Sequence, residues 1–408
     1  MYKAFKYKLL PTKDQENILT QWMGCGRYIW NWALSTNINH YEQTKQFIFK
    51  KDLKLQLPKL KKLHPWLAEV PSQALQNRIN DFDTALNRVW KLKFGFPKYK
   101  SKHIEHHNTL RIDQTNNHIK PIKKAIKIPK IGYVKWIKHR PLQGELKNIT
   151  IKKENNFWYC VCLCKLPDIE PIMEYTDTNV IGIDLGLTDF AITSDGQVFD
   201  TPKYYRKQQK KLKKLQRRLS KKKKGSNNYN KQKKKINKVH YKIKNKRHNY
   251  THQISSSITK NYLFVCIEDL NIQGMTQNHK WSKSVMDQGL NMFVQQLMYK
   301  SKMNGGLTVK INRWLPSTQT CSNCDHKQKM SLDERIFCCE SCKMKIDRDI
   351  NAAINIKRWG IIELNRLGIN RIYACGDTSN GDSLESSYVS MNQEKFCTIG
   401  TEAIIPLG

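Results

Sequence analysis

The sequence predicts a multidomain chain of mixed class: a helical bundle, a β-domain of barrel or sandwich type, and an α/β domain. Three observations predict it. Apolar residues recur at helical spacing between residues 12 and 93, and short β-type segments punctuated by turn residues fill the middle third. From Asn179 onward strands and helices alternate, interrupted by a basic stretch and a cysteine cluster.

Tyr2 to Leu10 reads as a strand, assigned with residues 1–11 to the β-domain. After Pro11, Thr12-Lys13-Asp14-Gln15 forms a capping box that opens a helix carrying Leu19, Trp22 and Met23. Ser72 to Lys93 places Leu75, Ile79, Phe82, Leu86 and Val89 at helical spacing, so residues 12–95 form the helical domain. Past Gly95-Phe96-Pro97, the segments Ala125 to Ile128, Gly132 to Trp136 and Asn156 to Leu166 read as strands of a β-domain over 96–170. The α/β domain spans 178–314 and resumes at 346–370, with the cysteine element at 315–345 between. The tail, 371–408, is rich in Ser, Asn, Gly and Asp and is expected to be disordered.

The chain has 408 residues, with 72 Lys and Arg against 34 Asp and Glu, a formal net charge of +38. Such a surface repels itself unless it meets a polyanion, which points to nucleic acid. No apolar run approaches the roughly 18 residues of a membrane span, so no membrane partner is expected. Met1 to Lys6 lacks a signal-peptide hydrophobic region, so a cytoplasmic setting is expected, where the 12 cysteines serve metal ligation rather than disulfides.

Three carboxylates stand out. In Val180-Ile181-Gly182-Ile183-Asp184-Leu185-Gly186, Asp184 lies on a strand with glycines beside it, leaving room for a ligand, and a hairpin follows through Phe190 to Thr193 and Asp195-Gly196. The apolar run Tyr262 to Ile267 reads as a strand buried on both faces that ends in Glu268. In Asp347-Arg348-Asp349-Ile350-Asn351-Ala352-Ala353, Asp347 caps a helix and Asp349 sits in its first turn, while the alanines let that helix approach the sheet. A clustered trio repels itself unless a cation compensates. Two Mg²⁺ ions (or Mn²⁺) about 3.5 to 4 Å apart are the usual arrangement for phosphodiester cleavage, and hard oxygen donors select them over zinc.

Cys321, Cys324, Cys339 and Cys342 form two C-x2-C pairs with 14 residues between them, the pattern of a closed structural Zn²⁺ site. Cys338 and His326 are competing ligands that would break one of the x2 knuckles. Cys160, Cys162 and Cys164 alternate along a strand and read as buried free thiols, and His103, His106 and His107 as solvated surface.

Residues 203–250 form the basic hairpin; Lys203 to Arg247 holds no acid, and about every second residue is Lys or Arg. Leu212, Leu215 and Leu219, then Ile236, Val239 and Ile243, give two apolar stripes around a turn near Gly225 to Asn228. The candidate nucleic-acid-binding residues are Lys210, Lys211, Lys214, Arg217, Arg218, Lys221, Lys234 and Lys238, contacting phosphate with little sequence information.

Together the opening Tyr7-Lys8-Leu9-Leu10-Pro11-Thr12 with Gln15, Gly182 to Gly186, Ile267-Glu268-Asp269-Leu270-Asn271, the two cysteine pairs and Asp347 to Ala353 closely resemble the transposon-encoded TnpB (OrfB) family of RNA-guided nucleases, related to type V CRISPR effectors. The match spans nearly the whole chain. The resemblance implies an RNase H-like (RuvC) nuclease domain with Asp184, Glu268 and Asp349 as its metal-binding catalytic residues, an inserted zinc ribbon, and an N-terminal lobe of a helical recognition domain and a β-barrel wedge domain. It also implies a guide RNA transcribed from the end of the transposable element, which pairs with target DNA beside a short protein-read motif. A monomer acting at the nucleoid is the expectation. Lys343 departs from the many relatives that carry Gly after the last ribbon cysteine. Two other readings stand beside this one: a catalytically inactive RNA-guided repressor, and a DDE-type transposase. Asn271 to Lys283 is read as an ordinary loop or a mobile lid.

Overall fold

The computed structural model describes residues 1–114, 117–279, 281–331 and 333–372. Most of the tail expected to be disordered, 373–408, lies outside the described residues.

The N-terminal lobe begins with strand β1 (Tyr2–Leu10), followed by helices α1 (Lys13–Thr44), α2 (Lys50–Leu63) and α3 (Ser72–Leu92). Thr12 caps α1 through a reciprocal box, its hydroxyl accepting from the Gln15 amide at 3.3 Å while Gln15 Oε1 accepts from the Thr12 amide at 3.1 Å. Strands β2 (Thr109–Asp113), β3 (Lys120–Pro121), β4 (Ala125–Ile128), β5 (Gly132–Ile137), β6 (Glu145–Glu154) and β7 (Phe157–Lys165) complete the lobe. They join β1 in a seven-stranded sheet of order β2-β6-β7-β1-β5-β4-β3, antiparallel throughout. β6 escapes a periodicity search because lysines interrupt its apolar face, yet Ile149 and Ile151 are fully buried. The three helices and this sheet share one hydrophobic core, into which Cys160, Cys162 and Cys164 also point.

The C-terminal lobe opens with the short strand β8 (Glu174–Tyr175), then β9 (Val180–Asp184), β10 (Asp189–Thr193) and β11 (Val198–Asp200). Helices α4 (Tyr204–Ser220) and α5 (Asn227–Asn261) lead to β12 (Phe264–Glu268). Two short helices, α6 (Ile272–Gln277) and α7 (Ser282–Gln288), precede α8 (Leu290–Met303) and β13 (Leu307–Ile311). Much of the segment read as a loop or lid is therefore helical, with the Asn271 side chain accepting from the Gly274 amide at 2.9 Å to start it. A hairpin of β14 (Ile336–Cys338) and β15 (Lys345–Asp347) follows, then α9 (Arg348–Arg366) and β16 (Asn370–Arg371), which pairs with β8.

The five-stranded sheet has the order β11-β10-β9-β12-β13. β9, β12 and β13 are parallel, while β10 runs antiparallel to both its neighbours. α5 and α8 cover one side through Ile254, Ile258, Phe293 and Leu297; α9 covers the other through Ile356 and Leu364. The close approach of α9 requires Gly182, where a Cβ would overlap the Ala353 carbonyl oxygen and the Lys357 amide. α5 runs past the expected hairpin end at 250 because Ile254 and Ile258 give its last turns a buried face on the sheet.

Candidate active site and cysteine cluster

Three elements bring the carboxylates together. β9 and β12 are adjacent and parallel, with Ile267 opposite Ile183, so Asp184 and Glu268 follow at neighbouring strand ends. Asp349 arrives in the first turn of α9, whose cap is the Asp347 carboxylate accepting from the Asp349 and Ile350 amides at 2.9 and 3.1 Å.

The electrostatics record this convergence. Burial pushes the Asp184 carboxyl up to about 7, and the charges of Glu268 and Asp349 push in the same direction. Glu268 is also raised by burial, partly offset by Ser317, whose hydroxyl donates to Glu268 Oε1 at 2.5 Å. Asp349 is flanked by Arg335 Nη1 at 3.4 Å and Arg348 Nε at 3.5 Å, both at the long end of hydrogen bonding. Three acids crowded until one resists ionisation form a donor set that a hard cation would relieve. Their spacing is looser than that of the thiols: among the described residues, only the four cysteines bring three or more ligand atoms within 4.8 Å of one another.

Those four are Cys321, Cys324, Cys339 and Cys342. The Sγ atoms of Cys321 and Cys342 are 3.6 Å apart and those of Cys324 and Cys339 3.5 Å. Thiolates around a tetrahedral zinc at about 2.3 Å would sit roughly 3.8 Å apart, so the set fits zinc with little movement. Cys338 points to solvent and His326 instead faces Glu340 at 3.8 Å, so neither joins the cluster. The residue after each knuckle, Asp325 and Lys343, has φ of 61° and 59°. This left-handed turn explains why glycine suits the Lys343 position.

α9 ties this element to the carboxylates. Asn355 Nδ2 donates to the Ser317 and Thr320 carbonyls, Asn351 Nδ2 donates to Thr320 O, and the Ser322 amide donates to Asn351 Oδ1. Arg358 grips Asp325 with both nitrogens at 2.7 and 2.8 Å. Ser317, Arg335, Asn351 and Asn355 were not legible as site residues. The only signal was the four-residue spacing of the two asparagines on one helix face beside Asp349.

Lys210, Lys211, Lys214, Arg217, Arg218 and Lys221 lie exposed on or just after α4, and Lys234 and Lys238 lie exposed on α5. A shallow groove is lined by Lys210, Lys213, Lys214, Arg217, Arg218 and Lys221. Lys211, Lys234 and Lys238 are outside that lining. Leu212, Ile236, Val239 and Ile243 zip the two helices together underneath. Among the described residues, no helix is long and apolar enough to cross a membrane.

A mixed α/β multidomain chain of this layout has the fold of the compact Cas12-type effectors. The chain in "Cryo-EM structure of the Cas12f1-sgRNA-target DNA complex" is similar over 85% of this chain and 83% of its own, with a TM-score of 0.56 and 15% identity. Three family models match: "Helix-turn-helix domain" of OrfB_IS605 over residues 1–46, "Probable transposase" OrfB_IS605 over 164–279, and "Cas12f1-like, TNB domain" over 291–356. The "Putative RNA-guided DNA endonuclease InsQ" of Escherichia coli (strain K12) is 28% identical over 96% of this chain and 98% of its own length. A "Putative RNA-guided DNA endonuclease" of Streptomyces pristinaespiralis is 29% identical over 92% of this chain and 91% of its own. The chain belongs to the TnpB (OrfB) family.

Proposed function

We propose that this chain is an RNA-guided DNA endonuclease that hydrolyses phosphodiesters with divalent metal ions held by Asp184, Glu268 and Asp349. The observation that carries the reading is the convergence of the three acids at adjacent strand and helix ends, where burial first, and then the charges of Glu268 and Asp349, raise the Asp184 carboxyl to about 7. The sheet order, with β10 antiparallel between the edge strand β11 and the central β9 and the other strands parallel, supports an RNase H-like (RuvC) domain. The relatives' names support guide RNA and target DNA as the partners.

Bound Mg²⁺ or Mn²⁺ would supply an activated water and stabilise the leaving oxygen. The chain's own groups do the positioning. Ser317 fixes the Glu268 carboxylate, and Arg348 and Arg335 orient Asp349 while placing positive charge where a scissile phosphate would enter. The four thiolates, closed around zinc, would hold the hairpin and its preceding loop, and with them Arg335. The basic face of α4 and α5 neutralises phosphates, so affinity falls steeply with salt.

The test is cleavage of guide-matched DNA by the protein purified with its RNA. Asp184→Ala, Glu268→Ala and Asp349→Ala should each abolish metal-dependent cutting and retain RNA. Undiminished cutting by Asp349→Ala would falsify the carboxylate assignment. Joining of DNA ends would favour the transposase reading, and target binding by the wild type without cutting the repressor reading. Sequencing the copurified RNA completes the test: one dominant transcript supports a guide, and a random spread of cellular RNA opposes it.

A further inference from the structure

The helical domain ends in a row of aromatic rings that the core does not use. Where α1 gives way to α2, Phe47 stacks on Tyr41 with ring centroids 4.6 Å apart, then meets Trp90 of α3 at 5.0 Å and Phe96 at 6.3 Å. Phe49 extends the row, 6.2 Å from Trp90. Tyr41, Phe49, Trp90 and Phe96 are between 41% and 49% exposed, although the core residues Phe82 and Leu86 lie on the same helix as Trp90. Scattered exposed rings need no explanation, but a contiguous row of five does.

Its surroundings say what would cover it. Lys45, Lys50, Lys91, Lys93 and Lys98, each within three residues of one of these rings along the chain, are all exposed; the Lys45 ammonium lies over the Tyr41 ring at 5.7 Å, and Lys50 also pairs with Asp83 at 3.7 Å. Two copies of this face would bring lysines against lysines, in a chain whose net charge is already +38. Flat rings set among cations instead match a ligand with flat π-faces on an anionic backbone. A paired duplex keeps its bases stacked and out of reach, whereas loops and bulges of RNA present them splayed.

We propose that this ridge is a stacking platform for unpaired bases of RNA. The proposal rests on the RNA-binding part of the function proposed above and adds a second contact surface, one that reads base faces rather than phosphates. The platform lies in the N-terminal lobe, on different elements from the carboxylates and the α4–α5 groove.

The test compares the full-length protein's affinity for a short oligouridylate with that for the same backbone carrying abasic sites, at a salt concentration that suppresses purely ionic binding. Stacking is worth about 1–3 kcal/mol per base, so removing the bases should weaken binding about five-fold or more. In Trp90→Ala/Phe96→Ala, whose targets are exposed, that dependence should largely vanish while the abasic strand binds as before. Cross-linking of 5-iodouridine RNA to the wild-type protein should map to the peptides holding Trp90 and Phe96, a readout independent of any variant. Equal base dependence in wild type and variant, or none in either, overturns the platform while leaving RNA binding intact. A base dependence as large with oligodeoxythymidylate overturns the assignment to RNA. A wild-type dimer that dissociates in the double variant overturns it in favour of a second copy. Binding of neither RNA overturns both the platform and the guided reading beneath it.

Discussion

Arg335 Nη1, in the loop leading into the cysteine-bearing hairpin, lies 3.4 Å from Asp349 Oδ2 in the first turn of the helix that closes the carboxylate site. The Arg335 side chain is about half exposed and reaches Thr188 Oγ1 at 3.5 Å with its other nitrogen. It therefore bridges the two sides of the site entrance without being locked there. Arg335→Ala should lower the cleavage rate about 10²-fold, in the range seen when one preorganised charge is removed, and leave RNA retention unchanged. Arg335→Lys should recover only part, because a point charge replaces a two-pronged fork. Single-turnover cleavage measures both.

Asp184 makes the site costly to the fold when metal is withheld. Its carboxyl is raised to about 7 in the folded protein from an ordinary 3.8, so the folded state holds a proton that the unfolded state has released. Stability contributed by this group is complete below about pH 4 and is lost as pH rises through about 7. In chelator at pH 8, Asp184→Asn should be more stable than wild type by several kcal/mol, at roughly 1.4 kcal/mol per pH unit between about 4 and 7. Added Mg²⁺ should stabilise the wild type and leave the variant unchanged. Thermal unfolding with and without metal reads the sign directly.

The second knuckle holds Lys343 at φ 59°, a conformation that costs a residue with a Cβ about 1 kcal/mol relative to glycine. Lys343→Gly should therefore slow zinc release to a chelator. Cys339→Ser should instead eliminate stable zinc binding and reduce cleavage, because the loop carrying Arg335 loses its anchor. Metal analysis should find about one zinc per chain in wild type and in all three carboxylate variants.

Glu154 joins the two lobes. This buried residue of β6 accepts from Lys6 of β1 at 2.8 Å and from Lys244 of α5 at 2.7 Å. Burial acts to raise its carboxyl, but the two lysines outweigh that and hold it at about 2. A depressed carboxyl contributes stability above its unfolded value near 4.5 that is lost as pH falls towards 2. Glu154→Gln should cost about 1–2 kcal/mol at neutral pH, less than a fully buried pair because both lysines can return to water. It should also flatten the acid limb of the stability profile.

The features legible in the chain are those whose physics is local. Thr12 and Gln15 announce a helix start because a capping box needs only four residues, and Leu212, Leu215 and Leu219 announce a hairpin stripe because period and charge are read along one segment. The two C-x2-C pairs name a ligand set because knuckle geometry is fixed by sequence spacing. Even the carboxylates could be singled out, each by its own strand end or helix start. Their clustering is an expectation drawn from strand ends of one α/β unit and from the family resemblance, while the pairing itself has no local signal, since parallel β9 and β12 are joined through the whole basic hairpin. That pairing, and the seating of α9 on Gly182, are long-range packing events with no periodicity of their own. Ser317, Arg335, Asn351 and Asn355 gain roles only from the contacts that packing creates, and the aromatic ridge exists only because two helix ends and a following loop are folded onto one another. Spacing along the chain chose the donors; the crossing of distant segments chose their neighbours, because charge and ring contacts act over a few ångströms of space regardless of separation in sequence.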